Sequence, residues 1–168
     1  MISFRAIELS IVNGLQEWLH SKEYIHCPVI RANQTAKVPD YPYLSYTVTT
    51  PVSSDMGGYS VAEDGTRYKS VVQTWSFTAQ SGDDEESMNV AMLAYDFFAL
   101  TGNTYLSDNG IVAQNVGNVT NRDNLLTIEY EYRRGFDVEF SLLQTLEKED
   151  CETAGYINTA EIKANEEV

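Results

Sequence analysis

The most constraining feature of this sequence is the stretch LTIEYEYRRGFDVEFSL, which runs from Leu126 to Leu142. Every second residue from Leu126 onward is apolar except Arg134, whereas the intervening residues are all small or charged. This period of two predicts one long β-strand with a single buried face. At about 3.3 Å per residue the strand would span roughly 50 Å, so we expect a bend at Gly135 or an extension beyond the domain.

Arg134 lies in the apolar phase of this strand, where an unpaired guanidinium would be costly. Two interpretations remain open. In the first, Arg134 pairs with Asp137, Glu129 or a carboxylate of another subunit. A pair with another subunit would place Arg133, Arg134 and Asp137 in a subunit interface. In the second, Arg134 marks the point where the strand leaves the core, and its side chain reaches water.

A first amphipathic helix is predicted from Ser3, a typical N-cap residue, to about His20. Gly14 within it either marks a close approach of the helix to the sheet or is a tolerated weakness, and we favour the weakness. A second helix is predicted after Ser81-Gly82, with acidic residues in its first turn and an end at Gly102.

The second helix has two apolar stripes instead of the usual one. Because each large apolar side chain left exposed forfeits about 1.5–3 kcal/mol, both stripes need cover. With only two helices predicted, we expect one stripe to pack on the sheet and the other on a neighbouring subunit. The stripe assigned to the subunit interface is Val90, Leu93, Phe97 and Leu100.

Further strands are predicted at Tyr43 to Thr50, Lys69 to Gln80 and Gly110 to Val116, with one short extended piece between Cys27 and Pro42. The predicted fold is therefore α+β: a mainly antiparallel sheet of about four strands packed by two helices, with a long hairpin loop and an extended C-terminal arm. Residues 1–143 are assigned to the domain and the acidic residues 144–168 to the arm.

The hairpin loop between residues 50 and 68 is far longer than a tight turn requires. Its glycines lack the lysine and the spacing of a phosphate-binding loop, so we interpret it as a mobile arm that contacts a partner. The residues expected to make that contact are Asp55, Met56, Tyr59 and Asp64.

Charge and motif content narrow the functional classes. The net charge of -14, from 25 acidic and 11 basic residues, disfavours binding to nucleic-acid backbones and anionic membranes. The chain has no long apolar run, and its two cysteines have no CxxC spacing, so we expect a protein made in a reducing cytoplasm. No catalytic, cofactor-binding or metal-ligating motif is present, and an enzyme is not predicted.

Three segments resemble the neck or tail terminator (tail completion) proteins of tailed bacteriophages. They are Pro42-Tyr43-Leu44-Ser45-Tyr46, Gln73-Thr74-Trp75-Ser76-Phe77 and Tyr132-Arg133-Arg134-Gly135-Phe136-Asp137-Val138. The resemblance covers roughly Phe4 to Leu143 and leaves out the long loop and the acidic arm.

The resemblance implies a virion protein, assembled in the host cytoplasm, that forms a hexameric ring. Such a ring caps the tail tube and joins it to the head connector, with a tail sheath as a further partner and DNA passing through the lumen without specific binding. Two alternatives remain open: another connector or minor tail protein of similar fold, and a small enzyme or ligand-binding domain that uses the cleft under the long loop.

Overall fold

The computed structural model describes residues 3–33, 35–53, 58–125 and 130–147. Helices α1 Phe4–Ser21, α2 Asp84–Asp96 and α3 Asn103–Asp108 cover one face of a sheet, and a π-helical turn at Phe97–Thr101 joins α2 to α3. The strands are β1 Val29–Arg31, β2 Tyr43–Ser53, β3 Ser60–Val61, β4 Arg67–Ser81, β5 Ile111–Val116, β6 Thr120–Asn121, β7 Asn124–Leu125 and β8 Tyr130–Leu146.

The α+β class is confirmed, but the sheet is larger than expected and is mixed. Its main path runs β1-β2-β4-β8-β5, in which β1 and β2 are parallel and the other neighbours are antiparallel. The four predicted strands are present as β2, β4, β5 and β8. Sequence periodicity missed the two-residue strands β3, β6 and β7, because two residues are too few to show a period.

Strand β8 confirms the long strand from Tyr130 onward, and it continues beyond Leu142 to Leu146. The part of the prediction that covers Leu126–Glu129 lies outside the described residues. From Tyr132 to Leu146 every residue of β8 pairs with β4 without a register shift, so the ladder passes through Gly135 unbroken. The domain boundary predicted after residue 143 falls within β8.

The alternation of β4 and β8 places their apolar residues under the helices. Trp75 is fully buried, and Phe140 meets its ring edge-on at a centroid distance of 5.9 Å. Phe98, from the π-helical turn, lies 4.7 Å from the ring of Phe77 and 5.4 Å from that of Phe140. The opposite face of the sheet has no helix on it among the described residues.

Gly14 permits the close packing of α3 on α1. A Cβ atom at this position would lie 2.3 Å from Cε1 of Tyr105, whose hydroxyl donates a hydrogen bond of 3.2 Å to the Ser10 carbonyl. Gly14 therefore marks a close approach, but to a helix and not to the sheet as that interpretation held; the favoured interpretation, tolerated weakness, is wrong. The neighbour is α3, a helix that the sequence did not predict because we expected the second helix to end at Gly102.

Candidate interaction surfaces

Arg134 is buried inside the chain between two carboxylates. It is 9% exposed and forms ion pairs with Asp84, the first residue of α2, and with Asp123, which precedes β7. Burial raises the pKa of Asp123, but hydrogen bonds from the Arg133 amide and from the Arg134 guanidinium lower it below its ordinary value. Arg134 is thus paired, as the first interpretation held, but with two carboxylates of its own subunit that the sequence did not suggest. The second interpretation is wrong, because the side chain is buried and does not reach water.

Arg133 also has a partner within the chain. Its guanidinium pairs with Glu131, a carboxylate that is 3% exposed. Glu131 accepts further hydrogen bonds from the hydroxyls of Tyr41, at 2.8 Å, and Tyr43, at 3.4 Å. Burial, together with the hydrogen bond to Glu131, raises the pKa of Tyr41 to about 12. This cluster ties the start of β8 to the start of β2.

Arg122, which the sequence did not single out, lies across the helix-free face of the sheet. It donates hydrogen bonds to Ser76 Oγ at 2.7 Å and Thr78 Oγ1 at 3.2 Å, and it pairs with Asp137 Oδ1 at 3.0 Å. Gly135 makes room for it, because a Cβ atom there would lie 2.8 Å from Cδ of Arg122. Asp137 is exposed, and its carboxylate is held by Arg122 of the same chain.

A cavity of about 450 Å³ lies on this helix-free face, between the sheet and residues 32, 33 and 36–39. Its lining includes four of the chain's 11 basic residues and no aspartate or glutamate. We call it the cationic cavity, and its basic residues are Arg31, Lys37, Arg122 and Arg133. The four are scattered in sequence, so no local motif could have revealed them.

The structure divides the stripe that was assigned to the subunit interface. Val90 is fully buried and Phe97 is 4% exposed, so both belong to the subunit's own core. This corrects their assignment to the subunit interface. Leu93 is partly buried against α1, where its carbonyl accepts a hydrogen bond of 2.8 Å from Trp18 Nε1. Only Leu100 is widely exposed, at 70%. Two exposed methionines of α2 accompany it, Met88 and Met92.

Part of the long loop is a short hairpin formed by β3 and the start of β4. Asp64 is exposed in its turn, and its carboxylate accepts a hydrogen bond of 2.9 Å from the Thr66 amide, which lowers the pKa of Asp64. Tyr59 is 57% exposed and lies under the Arg67 guanidinium, 4.9 Å from the ring centroid. Asp55 and Met56 lie outside the described residues.

Within residues 3–33, 35–53, 58–125 and 130–147, no group of three or more histidine, cysteine or acidic side chains is arranged to hold a metal ion. Cys27 is buried, and burial raises the pKa of its thiol to about 12, so it is protonated at neutral pH. None of the described helices is both long enough and apolar enough to cross a membrane.

Comparison with known proteins gives one family. Residues 9–167 match the family described as phage neck terminator protein. The match includes residues 144–167, so the acidic arm is part of the family's sequence pattern. No curated protein matches the chain.

Proposed function

The chain belongs to the phage neck terminator family, and from that premise we propose that it forms a hexameric ring that closes the tail tube and joins it to the head connector. The family consists of structural phage proteins, so the chain has a structural role at the neck of the virion. The resemblance found in the sequence is confirmed at the level of the family.

An exposed apolar surface supports the self-assembly part of the proposal. Met88, Met92 and Leu100 are 42%, 53% and 70% exposed, although they lie on elements that pack on the core of the subunit. Covering such side chains is favourable by about 25 cal/mol per Å² of apolar area, and a neighbouring subunit is the simplest cover. A ring uses two different patches of each subunit, so one copy presents this surface to another patch of the next.

The partners proposed are further copies of the chain, the tail-tube protein, the connector protein above it and, in a contractile tail, the sheath. Leu93, Leu100, Arg133 and Asp137 remain proposed interface residues. Asp55, Met56, Tyr59 and Asp64 remain proposed contacts of the loop with a partner. The net charge of -14 disfavours counterion-release binding of DNA, which suits a ring through which DNA passes.

The mass of the native assembly tests this proposal. Native mass spectrometry of the purified full chain should give six copies, and added tail-tube protein should bind to that species. A protein that stays monomeric at high concentration and has no affinity for the tail tube would contradict it. Imaging of intact particles should place the chain at the top of the tail, which separates a terminator from a minor tail protein elsewhere.

A further inference from the structure

We propose that the cationic cavity binds the acidic C-terminal segment, residues 147–168, of a second copy of this chain. The inference rests on the self-assembly in the proposed function and adds a specific contact to it. The cavity lies on the sheet face opposite the helices, between the sheet and residues 32, 33 and 36–39. It is therefore distinct from the exposed apolar residues of α2.

Two of the four basic residues that line the cavity have little charge compensation. Glu131 and Asp137 pair with the other two, Arg133 and Arg122. Arg31 has only a distant partner in the described residues, Glu8 at 3.8 Å, and its side chain is 51% exposed. Lys37 is exposed and forms no ion pair within the described parts of the chain. Arg31 and Lys37 are therefore the side chains available to an incoming carboxylate.

The C-terminal segment has the complementary charge. Residues 147–168 contain seven acidic and two basic residues, and four of the acidic ones fall between Glu147 and Glu152. The family match reaches residue 167, so this segment belongs to the pattern that the family shares. A short acidic segment in the cavity is influenced mainly by charges within about 8 Å at physiological salt. Duplex DNA would instead extend over the acidic remainder of the protein.

The direction of β8 favours a segment from another copy. Arg133 pairs with Gln80 at one end of the ladder, and Leu146 pairs with Arg67 at the other. These two ends are about 40 Å apart, at 3.3 Å per residue. To reach the cavity of its own subunit, the chain would have to reverse and run back along the sheet, which would leave Glu147 to Glu152 far from Lys37. A second copy meets no such constraint.

Zero-length cross-linking of the full chain tests the contact directly. Unlabelled and ¹⁵N-labelled chains are mixed, allowed to assemble and treated with a carbodiimide, which joins an amine to a carboxylate at contact distance. We expect Lys37 to be joined to acidic residues of 147–168 in peptides that carry one labelled and one unlabelled half. If the two halves of every cross-linked peptide carry the same isotope, the assignment to a second copy is overturned. If an assembled ring gives no cross-link between Lys37 and residues 147–168, the docking site is overturned.

Charge reversal gives an independent test. A fluorescent peptide of residues 147–168 should bind the full chain, and the Arg31→Glu/Lys37→Glu variant should bind it at least tenfold more weakly. Lys69→Glu, at the other end of β4 and outside the cavity, should bind it as the native chain does. Equal binding by all three proteins would refute the proposal, as would a native chain that binds a duplex DNA oligonucleotide through Arg31 and Lys37 and ignores the peptide.

The two proposals fail in different ways. If the native chain does not assemble at all, the proposed ring is wrong. If it assembles into six copies but Lys37 is not joined to the acidic segment, the ring stands and only the docking site is wrong.

Discussion

At the scale of single residues, the chain places its buried charges where they join separate elements. Arg134 connects β8 to the first residue of α2 through Asp84 and to the segment before β7 through Asp123. Burying a guanidinium costs free energy unless it is paired and hydrogen-bonded, and here both conditions hold. The position of this ion cluster therefore fixes the start of α2 against the centre of the sheet.

Replacing Arg134 tests the importance of this cluster. Arg134→Met should lower the free energy of unfolding by about 3 kcal/mol, the lower end of the range for removing one partner of a buried pair. The lower end applies because the Asp84 side chain is half exposed, while that of Asp123 is 12% exposed. Urea denaturation followed by circular dichroism measures it. Arg5→Met, at an exposed position of α1, is the matched control. A loss no larger than that of the control would show that the pairing adds nothing.

Stability should also depend on pH through Asp123. The pKa of this carboxyl is below its ordinary value of 3.8 in the folded state, so the folded chain binds its proton less readily than the unfolded chain does. The contribution of Asp123 is therefore complete above 3.8 and is lost as the pH falls through the folded-state pKa. We expect the stability difference between the native chain and Asp123→Asn to be constant near neutral pH and to shrink in acid.

Urea denaturation at a series of pH values measures that difference. Asp108→Asn, an exposed carboxylate at the end of α3, is the control for the loss of one negative charge. A difference from Asp123→Asn that did not shrink as the pH fell below 3.8 would contradict the role given to Asp123.

At the scale of elements, β8 is the centre of the sheet, with β4 on one side and β5 on the other. A bend at Gly135 or an extension of the strand beyond the domain was expected; the ladder with β4 continues through Gly135 in register. Because Gly135 has no side chain, Arg122 has space to lie across β8 and to reach Ser76 and Thr78 on β4.

Gly135→Ala should therefore destabilise the protein. The added Cβ would lie 2.7 Å from the carbonyl oxygen of Phe77, a backbone atom of the paired strand, and 2.8 Å from the Arg122 side chain. Overpacking of this kind costs typically about 1–3 kcal/mol. Thermal or urea unfolding measures the loss. Gly58→Ala, where a Cβ atom meets nothing within 4 Å, should change stability by less than about 0.5 kcal/mol.

Sequence alone was sufficient for the elements with a clear period. Alternation located β2, β4, β5 and β8, and helical spacing located α1, because each of these presents one face to the core. It could not identify Asp123 as the partner of Arg134, since that contact joins a loop to a strand. The second apolar stripe of α2 was assigned to a neighbouring subunit. In the structure, α1 covers much of this stripe through Trp18, whose ring lies 6.5 Å from that of Phe97.

At the scale of the whole molecule, the exposed apolar residues of α2 and the π-helical turn are the surface on which the proposed assembly depends. The buried part of α2 is already satisfied within the subunit. Changes at the exposed positions should therefore separate assembly from folding.

Leu100→Lys tests this separation. With 70% of Leu100 exposed, the change should alter the free energy of unfolding of the subunit by less than about 0.5 kcal/mol, while placing an unpaired charge in the interface and preventing assembly. Sedimentation velocity measures the assembly. Ile25→Lys, at a position that is 63% exposed and outside α2, is the control and should assemble normally. A Leu100→Lys protein that still assembles would move the interface elsewhere.

The position of β8 in the chain also determines the order in which the fold can form. The central ladder joins residues far apart in sequence: its closest pair, Ser81 and Tyr132, is separated by 51 positions and its most distant, Arg67 and Leu146, by 79. Contacts of such long range slow folding, because a large loop must close before they form. During synthesis β4 and β5 cannot complete their pairing until β8, the last of the described strands in chain order, has been made. The sheet can therefore close only after β8 has been synthesised.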